Sequence, residues 1–144
     1  MSKRMMVFAV AATVALVACG SDSGGEGTQQ GGEATGTACP PAPTALAEQP
    51  TLPPDFPIPG ALTLTTEKEA GPSTILEGFW ESDLSEAYSE YKDAFPAAGY
   101  EVTFSEQEED EAEVNFAGGD TTGQVKLEVE CEGRTDVRIT IRPA

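Results

Sequence analysis

Downstream of Gly99 the apolar residues fall on every second position four times over: Tyr100, Val102 and Phe104; Ala112, Val114 and Phe116; Val125, Leu127, Val129 and Cys131; Val137, Ile139 and Ile141. Strand side chains alternate between faces, so each run marks a half-buried strand with one apolar and one polar side. Upstream, "ALTLTT" sets Leu62 and Leu64 between threonines, "STILEGFW" is rich in β-formers, and "EAGPS" supplies a turn between them. A single segment keeps the helical repeat. In "SDLSEAYSEYKDAFPAAGY" the residues Leu84, Ala87, Tyr88, Tyr91, Ala94, Phe95 and Ala98 share one face. Asp83 followed by Glu86 resembles a capping box, and Gly99 is a good terminator. Pro96 disfavours helical geometry at Phe95, so the helix is expected to end near Phe95 or to kink there. Hairpin connections follow in "SEQEEDE", "GGDTTG" and "EGRTD". The order ββαββββ predicts an α+β fold: two layers, an antiparallel sheet of about five to six strands covered on one side by one helix.

Four regions are expected along the chain. Residues 1–18 read as a signal segment: Lys3 and Arg4 are followed by the apolar stretch Met5 to Ala18, which is short against the roughly 20 apolar residues of a membrane-spanning helix. Residues 19–38 contain "GSDSGGEGTQQGGEATGTA", without apolar periodicity, and read as a flexible tether. As a random coil such a tether has an r.m.s. reach of roughly 25 Å. Residues 39–60 hold eight of the 11 prolines and form an arm entering the domain, with Leu52, Phe56 and Ile58 laid on its surface. Residues 61–144 are the acidic α+β domain.

The stretch "LVACGSDSGG" stops an apolar run at a cysteine and turns at once to small polar residues. Leu16-Val17-Ala18-Cys19 resembles the lipobox of bacterial lipoproteins. The resemblance implies cleavage before Cys19, a diacylglyceryl group on its sulfur and fatty acylation such as palmitate, with the domain anchored to the cell membrane on its extracytoplasmic side. Several buried acyl chains anchor where one is marginal. Farther along, "PPDFPIPGA" and "EGFWESDLSEAYSEYKDAFPAAGY" resemble the entry and the middle of small bacterial lipoproteins with a D-L-x-x-x-Y helix segment ending in A-G-Y or A-G-W. That likeness spans about the last 90 residues. It implies the same fold and carries no activity with it.

With Cys19 acylated, Cys39 and Cys131 are the two remaining thiols. An oxidising compartment and a small core favour a disulfide between them, pinning the proline-rich arm across the sheet. Two reduced cysteines, or a thiol paired with another protein, are the alternatives. Cys131 is in phase with Val125, Leu127 and Val129 and is expected to point into the core.

Charge and composition narrow the function. The chain carries 25 acidic residues against eight basic and a formal net charge of −17, and removal of a signal with Lys3 and Arg4 makes it more negative still. Phosphate neutralisation needs the opposite sign, so nucleic acid is excluded as a partner, as is docking of the domain on anionic headgroups. No histidine is present, which removes Ser-His and Cys-His catalysis and imidazole metal sites. The chain is read as non-catalytic and without a cofactor. The acidic run Glu106 to Glu113 lacks the spacing and the central glycine of a calcium loop and reads as a solvated hairpin tip, not a metal site. Arg138, Thr140 and Arg142 share the face opposite Val137, Ile139 and Ile141; they are explained either by cross-strand ion pairs with the Lys126, Glu128 and Glu130 strand or as a docking face for another envelope component. Trp80, Tyr88 and Tyr91 are either core or the lining of a small-ligand or lipid pocket between helix and sheet. The leading expectation is a lipid-anchored envelope protein that binds a protein partner; the alternative is a ligand-binding lipoprotein.

Overall fold

The computed structural model describes residues 38–144; the expected signal segment, Cys19 and the tether lie outside the described residues. Element order is β1 (Leu62–Ala70), β2 (Ser73–Trp80), α1 (Leu84–Ala97), β3 (Glu101–Gln107), β4 (Glu111–Gly118), β5 (Thr121–Cys131) and β6 (Arg134–Pro143). The six strands form one sheet in the order β1-β2-β6-β5-β4-β3, and every neighbouring pair is antiparallel. One helix therefore covers one face of an antiparallel sheet, the α+β order ββαββββ expected from periodicity. The first strand runs farther than the leucine–threonine alternation indicates: Glu69 and Ala70 are still paired with β2, and the turn is confined to Gly71-Pro72.

The helix keeps Pro96 without ending early, because proline falls in the last turn and the chain leaves through a tight cap. The Tyr100 N–H donates to Phe95 O and the Gly99 N–H to Pro96 O, while Gly99 takes φ +85°. This is the bond pattern of a Schellman motif, which needs a left-handed residue at that place. Its hydrophobic contact is the Tyr100 ring edge-on to Phe95, 5.9 Å between centroids. At the other end Asp83 makes no side-chain cap; the Ser82 hydroxyl donates instead to Glu86.

The helix buries Leu84, Ala87, Tyr91 and Phe95 against Leu76, Val114, Phe116, Val125, Leu127, Val137 and Ile139. Phe95 stacks on Phe116 at 4.4 Å. Phe56 of the arm is not laid on the surface. It is 8% exposed and stands edge-on to Phe95, Tyr100 and Phe116, so the arm supplies part of the core. Leu52 and Ile58 pack beside it.

Two of the expected inward positions turn outward, each after a register shift, and a third is exposed at the end of its strand. In β3 the shift between Val102 and Phe104 sets Phe104 opposite Asn115, on the side away from the helix, 47% exposed. In β5 the shift between Val129 and Cys131 sets Cys131 opposite Arg134, and Cys131 leaves the main core cluster for the outer side. Val129 itself, just before that bulge, is 45% exposed. A bulge adds one residue to one strand and reverses the alternation after it, a change that sequence periodicity does not reveal.

Candidate functional site: the open face of the sheet

The disulfide joins Cys39 to Cys131 with Cα atoms 5.2 Å apart. Next to it, Arg134 forks onto both carboxylate oxygens of Glu130, at 2.8 and 3.0 Å, and donates to Pro40 O at 2.8 Å. Its guanidinium lies 5.6 Å from the Phe79 ring centroid, and Arg134 is 6% exposed. A guanidinium buried this far needs such a set of acceptors. Farther along the arm, the Leu46 N–H donates to Leu64 O on the free edge of β1. The arm thus starts on the outer face, passes the β1 edge and ends with Phe56 on the helix side, covering an edge that would otherwise be open to strand pairing.

The rest of the outer face is open. Its charges pair both along and across strands, but neither Arg138 nor Arg142 pairs with the expected carboxylates of β5. Lys126 and Arg138 stand directly opposite each other; Lys126 therefore reaches Glu128 at 2.9 Å and Glu111 at 3.4 Å, while Arg138 turns to Glu77 on β2 at 3.5 Å. Glu77 also receives Lys68 at 2.8 Å. The Lys126 ammonium is held above its usual range by the hydrogen bonds it donates to the carboxylates of Glu128 and Glu111. Asp136 is pushed up, first by partial loss of water contact and then by the carboxylates of Glu130, Glu128 and Glu77, with Arg138 opposing. Thr140 lies between Gln124 and Ile75, and Arg142 opposite Thr122. Among the described residues no carboxylate lies within ion-pair distance of Arg142. Arg138, Thr140 and Arg142 do share one face, but Arg138 is engaged and Arg142 is free.

Around Arg142 the face dips into a concavity of about 430 Å³, lined by Thr103, Asn115, Thr122, Gln124, Thr140 and Arg142. Apart from Thr140 and Arg142, these residues carry no motif and escape sequence reasoning. The available signal is the uncharged stretch "NFAGG" and "TTGQV", interrupted by one aspartate in a chain rich in acids. Gly123 lies among these residues, in register with the core residues Phe116 and Ile141, and a Cβ there would run into Thr140 O and the Phe116 ring.

On the helix side, Trp80 and Tyr91 pack ring to ring at 6.1 Å and are 3% and 0% exposed. Tyr88 is half-buried at the helix margin with the Lys92 ammonium over its ring. The Tyr91 hydroxyl is buried without a hydrogen-bond partner, and burial pushes its ionisation far above the usual tyrosine range. The acidic run forms the end of β3, the tip Glu108 to Asp110 and the start of β4. Among the described residues no group of three or more acidic or cysteine side chains is arranged to hold a metal ion, and no helix is long and apolar enough to cross a membrane. Comparison with protein-family profiles, curated proteins and solved structures finds no match to the chain.

Proposed function

We propose that this chain is a lipid-anchored protein of the bacterial cell envelope, held at Cys19, whose α+β domain is a non-catalytic interaction module. The observation that carries the interaction reading is the asymmetry of the sheet. One face is closed by α1 and Phe56, whereas the other is uncovered over β4, β5 and β6 and presents an unpaired arginine beside Thr140. The Leu16–Cys19 pattern supports the anchor, and a bridge between Cys39 and Cys131 fits an oxidising, extracytoplasmic compartment. The alternative pocket between helix and sheet has less in its favour, since Trp80 and Tyr91 are packed against each other with the remaining core around them.

In-cell crosslinking of the lipidated protein, read by mass spectrometry, tests the module. A stoichiometric partner is expected, and charge reversal at Arg138 and Arg142 is expected to lose it at an unchanged melting temperature. Retention of the partner in that variant would remove this face from consideration. For the anchor, Cys19→Ala is expected to abolish incorporation of labelled palmitate; continued labelling would show that the anchor is elsewhere or absent.

A further inference from the structure

The open face is divided by charge. Toward the β3–β4 and β5–β6 turns it gathers Glu108, Glu111, Glu128, Glu130 and Asp136, and Lys126 and Arg134 at that end are ion-paired. Toward the opposite end the lining of the concavity contains no carboxylate at all, although the chain has 25 acids to eight bases. Three acids border that lining without entering it: Asp120, which shares a neighbouring hollow with Arg142 but makes no ion pair with it, Glu101 opposite Ala117 and Glu113 opposite Lys126. The one cation inside it, Arg142, is unpaired.

The remaining lining is hydroxyls and carboxamides. Thr122 donates to Phe116 O at 3.1 Å; the side chains of Thr103, Asn115, Gln124 and Thr140 have no hydrogen-bond partner among the described residues. Beside them the Phe104 ring, turned out by the β3 bulge opposite Asn115, offers an exposed flat apolar surface. Amides and hydroxyls at fixed spacing, an aromatic plane at the margin and one guanidinium match the three surfaces of an acidic sugar: its hydroxyls, its C–H face and its carboxylate. A peptide is matched less well. Extended peptides bind through an unpaired strand edge and side-chain pockets; β4, β5 and β6, which floor the concavity, are paired on both sides, and the free edge of β3 lies only at its margin.

We infer that this concavity binds a saccharide carrying an acidic group, with Arg142 on the carboxylate, Asn115, Gln124 and Thr140 on ring hydroxyls, and Phe104 against the sugar face. The inference rests on the reading of the open face as a binding surface and names the chemistry of what it binds. Calorimetric titration tests it on the full chain in a detergent without a sugar headgroup. The probes are a tetrasaccharide of alternating N-acetylglucosamine and glucuronate, the neutral N-acetylglucosamine tetramer, and hexaglutamate. The acidic tetrasaccharide is expected to saturate, the neutral one to bind about tenfold more weakly, and the peptide not to saturate. Arg142→Gln is expected to erase the difference between the two sugars, and Phe104→Ala to weaken both alike, with circular dichroism unchanged in each. No saturation by the acidic sugar, undiminished preference in Arg142→Gln, or equal binding of hexaglutamate would overturn the assignment. The two readings separate in the crosslinking experiment: failure of sugar binding with a partner still lost in the Arg142→Glu variant refutes the saccharide alone, and failure of both refutes the docking face as well.

Discussion

Opening the Cys39–Cys131 bridge releases a loop with a sequence separation of 92 residues. In the chain-entropy account a closure of this length removes freedom from the unfolded state worth about 4–5 kcal/mol. A small domain has a total stability of roughly 5–15 kcal/mol, so the bridge accounts for a large part of it. The folded side of the balance loses little, because Phe56, Leu52 and Ile58 stay packed and the Leu46 N–H keeps its bond to Leu64 O. The Cys39→Ser/Cys131→Ser double variant is therefore expected to fold, with a melting temperature roughly 15–20 °C lower at about 4 °C per kcal/mol. Guanidinium unfolding of the oxidised protein, the oxidised protein with reductant, and the double variant gives the difference directly. Agreement between reductant and double variant is expected. A loss below about 1 kcal/mol in both would refute the reasoning, since the loop is too long for its closure to be worth so little.

Phe56→Ala removes a ring that meets three others in the core and is expected to cost about 3–5 kcal/mol in chemical unfolding; a surface-like cost under about 0.5 kcal/mol would show that the arm is not part of the core. Tyr91→Phe deletes a buried hydroxyl without a partner and is expected to stabilise by about 1 kcal/mol, read as a raised melting temperature; a lowered one would reveal a partner for that hydroxyl. Asp136 has a raised folded-state pKa, so between its ordinary value of 3.8 and the raised one the folded chain binds more protons than the unfolded chain. Its contribution thus favours folding as pH falls through that window and is lost as pH rises past it. Asp136→Asn is expected to be more stable than the parent at pH 7 and to show a weaker rise in stability on mild acidification; an identical pH profile would contradict the shift.

Sequence periodicity read the architecture well because a strand with one wet face must alternate, and Val114, Val125, Leu127, Val137 and Ile139 obey that rule and line the core. It misplaced Phe104 and Cys131 for a definite reason. Each follows a bulge, and a bulge is set by pairing with a neighbouring strand, Asn115 on β4 in one case and Arg134 on β6 in the other. The candidate site was half legible. Arg138, Thr140 and Arg142 fall on one face by alternation alone, but the pairing of Arg138 with Glu77 depends on β2 lying beside β6, which joins residues 61 positions apart. Asn115, Gln124 and Thr103 carry no signature by themselves.

The sequence by itself determined the order ββαββββ and the alternation of each strand up to its bulge, because period and turn chemistry are local properties. It also set the balance of charge, 25 acidic residues against eight basic. Tertiary structure alone decided that the arm passes the β1 edge to plant Phe56 in the core. It decided too that Cys131 meets Cys39 on the outer side and that Arg142 stands free among uncharged side chains. These outcomes depend on which strands become neighbours and where their register slips, and that is fixed only when distant segments compete for the same partners.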